Sequence, residues 1–187
     1  MPIFTRTQFK NIALSKTNSY RNLKTFVNEA RIQAKSTTTT SIFLSHSHSD
    51  KDLIDEAVTF FKSLGVNVYV DWMDETMPEK PNGVTASKIK SKILNDDKFI
   101  FLATNSAVIS KWCNWEVGIG DAYKLHSDKI CILPLSDNSG SWTGNEYLQI
   151  YPRIESVVKD NYTLYDNIFR VVYPDGKTTW LSDWLKK

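Results

Sequence analysis

Cysteine is scarce in this chain. Cys113 and Cys131 are the only two in 187 residues, and neither their number nor their spacing suits a disulfide scaffold or a cysteine-ligated metal. Reduced thiols are expected. Long apolar runs are missing too: none approaches the roughly 20 residues of a membrane helix, and no charged-then-apolar leader with a small-residue cleavage site opens the sequence. The expected setting is cytoplasmic, with no membrane partner. A G-x-S-x-G nucleophile elbow is also lacking, which argues against nucleophilic serine chemistry although Ser, His and Asp crowd into one turn.

Net charge is small, formally +2, but unevenly spread. Residues 1–40 carry Arg6, Lys10, Lys16, Arg21, Lys24, Arg31 and Lys35 against one acid, Glu29; this arm is therefore +6 and the remainder −4. Phe9, Ile12, Ala13, Leu23, Phe26, Val27 and Ala30 recur at helical spacing, which predicts a basic helical N-terminal arm over 1–40, closed by the tetrathreonine Thr37 to Thr40. Without interleaved aromatics or a glycine-rich phosphate loop, nucleic acid is a poor partner for this arm. Docking on the acidic remainder or joining subunits suits it better.

From Ser41 onward strands and helices alternate. Ile42 to Leu44, Val66 to Val70, Phe99 to Ala103 and Ile130 to Leu135 are short apolar strands, and helical patterns over Leu53 to Leu64, Ala86 to Leu94 and Ser110 to Leu125 separate them. Gly65 stands where a helix C-cap glycine belongs. Continuously apolar strands joined by helices predict an α/β fold, a doubly wound parallel sheet covered on both faces. In that class ligands bind at the carboxyl ends of the strands. Ser45, His46, Asp71, Trp72 and the start of the helix after Ser110 should therefore meet at one rim.

Within that last helix, Lys111-Trp112-Cys113-Asn114-Trp115-Glu116 sets a carboxylate among indoles. At about 100° per residue, Glu116 lies about 40° from Trp112 and about 20° from Tyr123, on the face of Ile119, while Asp121 and Lys124 take the opposite, solvent side. A carboxylate held against rings loses hydration, so its proton affinity should rise, and Glu116 is a candidate acid, base or charge stabiliser. Cys113 falls away from that face, where packing explains it. His46 and His48 alternate as metal ligands can, but a third ligand at suitable spacing is missing and no metal is expected.

Ile42-Phe43-Leu44-Ser45-His46 with Ser49-Asp50, the strand end Val70-Asp71-Trp72, and Trp112-Cys113 with Glu116 together resemble, in order and separation, a bacterial TIR domain. The resemblance covers about residues 41 to 135 and implies a flavodoxin-like fold of five parallel strands, which leaves one strand to find after Ser136. Many bacterial TIR domains cleave the nicotinamide–ribose bond of NAD. The resemblance then makes Glu116 the catalytic glutamate, with Ser45, His46, Asp71, Trp72, Trp112 and Trp115 as substrate contacts, NAD as substrate and no cofactor or metal. It also implies that the loop from Asp71 to Gly83 gates the site and mediates TIR–TIR self-assembly into a homo-oligomer. Met73 departs from the pattern, since animal TIR hydrolases carry an acid there. An ADP-ribose-type product would serve as messenger to a separate effector protein, as in the Thoeris antiphage systems.

Two other readings compete. One is a non-enzymatic TIR interaction module, which would have no need of a carboxylate on the tryptophan face. The other is a nucleoside deoxyribosyltransferase-like enzyme, which fits the loop after Val70 less well. The expected organisation is an arm over 1–40, a TIR domain over 41–160 and a C-terminal extension over 161–187. In the extension, Ile168 to Tyr173 and Lys177 to Leu181 flank Pro174-Asp175-Gly176 as a hairpin would. Tyr147 to Ile154 could supply the missing edge strand or a short helix.

Overall fold

The computed structural model describes residues 3–17, 39–78, 82–156 and 169–187. The arm positions Leu23, Phe26, Val27 and Ala30, Thr37 and Thr38, Ile168 and the boundary at 160 lie outside the described residues. No described helix is long and apolar enough to cross a membrane.

The parallel strands that form the centre of the sheet are β2 (Ser41–Ser45), β3 (Asn67–Tyr69), β4 (Lys98–Thr104), β5 (Ile130–Ser136) and β6 (Arg153–Ser156). Their order in the sheet is β3-β2-β4-β5-β6, so the chain steps outward from β2 to β3 and then back past β2 to β4. That reversal is the topological switch point of a flavodoxin-like fold, and it opens a crevice between the carboxyl ends of β2 and β4. The fifth strand, β6, follows a 3-10 turn at Glu146–Ile150, so the segment after Ser136 supplies both a strand and a short helix.

Both faces of the sheet are covered. On one, Ile42, Leu44, Ile100, Leu102, Cys131 and Leu133 meet α2 (Lys51–Ser63) through Leu53, Ile54, Ala57 and Phe61. On the other, Phe43, Phe99, Phe101 and Ile132 meet α3 (Gly83–Asn95) and α5 (Lys111–Lys124) through Ile89, Ile93, Cys113 and Val117. Between β4 and α5 sits the short α4 (Asn105–Ile109), capped by Thr104. Gly65 takes φ +81° and ends α2, a conformation that costs a residue with a Cβ. The close approach of α5 to the sheet depends on Gly120, where a Cβ would lie 3.1 Å from the Phe99 ring.

The segments flanking the parallel sheet are built into it. A two-residue strand β1 (Phe4–Thr5) pairs with Leu135 and Ser136 of β5, and α1 (Arg6–Thr17) follows, packing Phe9 and Ala13 into the α2 side of the core. At the far edge β7 (Phe169–Val172) runs antiparallel to β6, and β8 (Thr178–Trp180) antiparallel to β7, around a turn with Gly176 at φ +84°. The final helix, α6 (Leu181–Lys186), buries Trp184 over the ammonium of Lys98, 4.4 Å from the ring centroid.

α1 is fastened by charge as well as by packing. Asp50 is fully buried at the head of α2, and Arg6 Nη1 lies 2.7 Å from its Oδ1, while Thr104 donates to Oδ2 at 2.5 Å. Arg6 also reaches Asp52, as does Lys10, each at 2.9 Å, but Asp52 is largely exposed. Removing one partner of a buried pair leaves a charge that water cannot reach. Arg6→Ala should therefore cost about 2–4 kcal/mol of unfolding free energy in urea titrations, whereas Lys10→Ala, which breaks a solvated pair, should cost under about 1 kcal/mol.

Candidate active site

Side chains alternate along a strand, so Phe43 and Ser45 project to the α5 side of the sheet while Ile42 and Leu44 project to the other. Ser45 is the last residue of β2, and its hydroxyl is thereby aimed at α5. On α5 the buried positions are Cys113, Glu116, Val117, Gly120 and Lys124, and Ser110 caps the helix by accepting from the Cys113 amide. Glu116, 3% exposed, stands at the edge of this stripe, and Ser45 Oγ donates to its Oε2 at 2.6 Å.

This corrects the helical wheel drawn from sequence in three places. Tyr123, placed on the buried side, is 53% exposed; Lys124, placed in solvent, is 4% exposed because its ammonium folds back to donate to the Asp96 carbonyl. Cys113, placed away from the cleft, lies on the same buried stripe as Glu116 and donates from Sγ to the His46 carbonyl oxygen at 3.2 Å. Burial pushes its thiol up to about 12, so it pins the turn as a neutral donor.

Burial is also the largest influence on Glu116. It drives the carboxyl up to about 8, the hydrogen bonds from Ser45 and Trp112 pull it down, and the negative charge of Asp71 pushes it up further. Glu116 is therefore favoured in its protonated form near neutral pH.

Asp71 opens the loop after β3, within the 3-10 turn Asp71–Met73. Its Oδ1 lies 3.6 Å from His46 Nε2 and its Oδ2 lies 3.7 Å from His48 Nε2. The His46 side chain is 2% exposed, and its Nδ1 is 3.0 Å from the Leu44 carbonyl. Further along the loop, Asp74 accepts from Thr76 and, at 2.9 Å, from the Tyr69 hydroxyl, which ties the segment to β3. Met73, where an acid was expected from animal relatives, packs against the α2-side core instead.

The three tryptophans divide. Trp112 is half-buried beside Glu116, and Trp115 lies against it with ring centroids 5.1 Å apart. Trp115 is 38% exposed and Trp72, which follows Asp71 in the 3-10 turn, 42%. Ser45, His46, Asp71, Trp112 and Glu116 are thus brought together, with Trp115 joined to them through Trp112. His48 and Cys113 join the group although sequence reasoning gave neither a place in it. A separate cavity of about 390 Å³ lies along β5 and β6, lined by Trp142, Tyr151 and Arg153 among others; it contains none of the cleft residues.

The family model of the TIR domain matches residues 42–155, from the start of β2 to the end of β6. The chain belongs to the TIR domain family. Among curated proteins it is similar to the "Probable 3' cyclic ADP-D-ribose synthase ThsB'" of Bacillus cereus, 32% identical over 117 residues, which are 60% of this chain and 59% of that protein. It is also similar to the "Putative cyclic ADP-D-ribose synthase TIR2" of Cytobacillus dafuensis, 25% identical over 79 residues, 41% of this chain and 21% of that one. The chain thus spans less than two thirds of the length of either relative.

Folding stability should report the state of Glu116 in this TIR domain. In an unfolded chain a glutamate titrates near 4.3, whereas in the fold the proton stays on up to about 8. Between these values the folded protein binds more protons than the unfolded one, so the stability contributed by the protonated carboxyl is complete below about pH 4 and is lost as pH rises through about 8. Glu116→Gln removes that slope. Urea denaturation should find the variant close to wild type at pH 4.5 and more stable at pH 9, by on the order of 3 kcal/mol.

Proposed function

We propose that this protein cleaves the nicotinamide–ribose bond of NAD and that Glu116 is its catalytic carboxylate. The supporting observation is a buried carboxyl, held by Ser45 beside Trp112, at the carboxyl ends of the strands where this fold binds nucleotides. Cleavage breaks the bond between the ribose anomeric carbon and the pyridinium nitrogen. The bonding electron pair leaves with nicotinamide, which becomes neutral, and positive charge develops on the sugar. An ionised Glu116 in a water-poor site stabilises that charge much more strongly than it would in bulk water.

An oxygen must then take the place of nicotinamide at the anomeric carbon. The names of the two relatives, both cyclic ADP-D-ribose synthases, favour an oxygen of the same molecule, which closes a ring as its hydroxyl proton departs. Glu116, with a proton affinity near neutrality, suits acceptance of that proton. Exclusion of water favours ring closure over hydrolysis. The released compound acts as a messenger for a separate effector in antiphage defence. The exposed Trp72 and Trp115 and the loop after β3 serve contacts between copies of the domain.

The reading is tested with concentrated protein and NAD, following nicotinamide release and identifying the nucleotide product by mass spectrometry. Glu116→Gln keeps the size and hydrogen-bonding oxygen while removing the charge, and it should lower the rate by at least about 10²–10³-fold. Equal rates in the two proteins would overturn the role given to Glu116. Because the ionised form is the active one, kcat/KM of the wild type should climb about tenfold per pH unit below neutrality and level off above about 8. A flat profile over pH 5.5–8.5 would place the chemistry on another group.

A further inference from the structure

Two polar atoms of the cleft have bonding capacity that no described residue uses. His46 Nε2 and Asp71 Oδ1 are both buried without a hydrogen-bond partner, and they face each other at 3.6 Å. The Leu44 carbonyl can only accept, so His46 Nδ1, 3.0 Å away, carries the ring proton. Burial lowers the pKa of His46 and the neighbouring His48 lowers it too, against the opposing pull of Asp71, Leu44 and Asp50. Burial thus favours the neutral ring, in which Nε2, with the proton on Nδ1, presents a bare lone pair. Asp71 Oδ1 presents another.

Two acceptors thus confront each other across a gap wider than a direct hydrogen bond. The partner that completes such a pair is one atom bearing two hydrogens, each directed to one acceptor. Both acceptors are held before any ligand arrives. The Asp71 carbonyl accepts from the Asp74 amide at 3.0 Å within the 3-10 turn, and the Cys113 thiol holds the carbonyl of His46.

We propose that His46 and Asp71 together bind the carboxamide NH2 of the nicotinamide ring and so select the amide form of the dinucleotide over the acid form. This assignment rests on the NAD reading above and adds the basis of its selectivity. A carboxylate at the same ring position brings no hydrogen to either acceptor and sets a negative charge against Asp71. A site built around donated hydrogens rejects a ligand lacking them far more sharply than an apolar pocket rejects a lost methylene, because buried polar groups are left unpaired. Asp71 is thus a specificity-determining residue, acting on which base is accepted, and Glu116 remains the residue at the bond that breaks.

The test measures binding on the Glu116→Gln background, where turnover does not intervene. NAD and nicotinic acid adenine dinucleotide are titrated against the protein and read by tryptophan fluorescence and calorimetry. NAD should bind at least about 100-fold more tightly. Adding Asp71→Asn, whose amide can donate to a carboxylate, should bring the ratio below about tenfold, with an unfolding midpoint within a few degrees of the parent; His46→Gln should narrow it as well. Equal binding of the two dinucleotides to the parent would overturn the proposal. So would a ratio that survives both substitutions while both affinities fall, since the pair would then be holding the ribose hydroxyls. An amide preference that depends on Asp71, in a protein whose wild type releases no nicotinamide, would uphold this site and overturn the cleavage reading. Binding of neither dinucleotide at millimolar concentration would overturn both.

Discussion

Asp50 is a carboxylate with no access to water, and both of its oxygens are taken, one by Arg6 of α1 and one by Thr104 at the end of β4. Three parts of the chain, distant in sequence, meet on this one side chain. Thr104 also caps α4, so the same hydroxyl that steadies Asp50 starts the segment leading to α5. Asp50 closes the 3-10 turn that begins at His48, and therefore fixes the path of the turn carrying His46. Through this pair the N-terminal helix, remote from Glu116, helps to set where the cleft's histidines stand. A buried ion pair adds little net stability against an apolar equivalent, but it admits few alternative arrangements, and here it ties the start of α2 to the switch point of the sheet.

Glu116 and Asp50 are both almost wholly buried, and their contrast explains the division between support and site. Asp50 has a guanidinium at 2.7 Å; the nearest named influences on Glu116 are a hydroxyl, an indole and another acid. A charge that a cation compensates is a fixture of the fold. One without a cation is favoured in its protonated form.

Much of this architecture is visible in the sequence because β2, β4 and β5 are covered on both faces and so read as unbroken apolar runs. Ser41–Ser45, Lys98–Thr104 and Ile130–Ser136 extend the expected strands by a residue or two at their ends. The short strands outside that core are another matter. β6 reads Arg-Ile-Glu-Ser, its charges satisfied by Arg153–Glu155 and Arg170–Glu155 pairs that pattern alone does not reveal, and β1 is too short to carry a period. The start of α3 was hidden for a similar reason: Asn82 and Thr85 form a reciprocal capping box, so the helix begins at Gly83, inside a stretch whose prolines and glycine suggest only loop. The direction of the Glu116 shift follows from the burial that its aromatic helix face suggested, although the Trp112 indole, as a donor, works against it, and the wheel placed the buried stripe wrongly. A wheel treats lysine as a solvated charge, and Lys124 instead lays its stem along the core and satisfies its ammonium on a backbone carbonyl. The encounter of His46 with Asp71 depends on the ends of two neighbouring strands and a turn, which no local spacing encodes.

In the cleavage proposed above, the same burial that raises the proton affinity of Glu116 in the free protein would strengthen its carboxylate once a substrate is bound. In a cleft of low polarity, a pyridinium brought near the carboxyl favours the ionised form by a much larger energy than it would in water, so the proposed cationic substrate would itself supply the driving force to deprotonate Glu116. As the glycosidic bond stretches, positive charge does not vanish; it passes from the ring nitrogen to the anomeric carbon. A carboxylate placed for the second position gains interaction as the first is neutralised, which is the differential binding that accelerates a reaction. An exposed glutamate would be charged at all times and worth little at either stage. The Ser45 hydrogen bond sets the balance, because it orients the carboxylate without supplying a counter-charge that would spend the same interaction in the ground state.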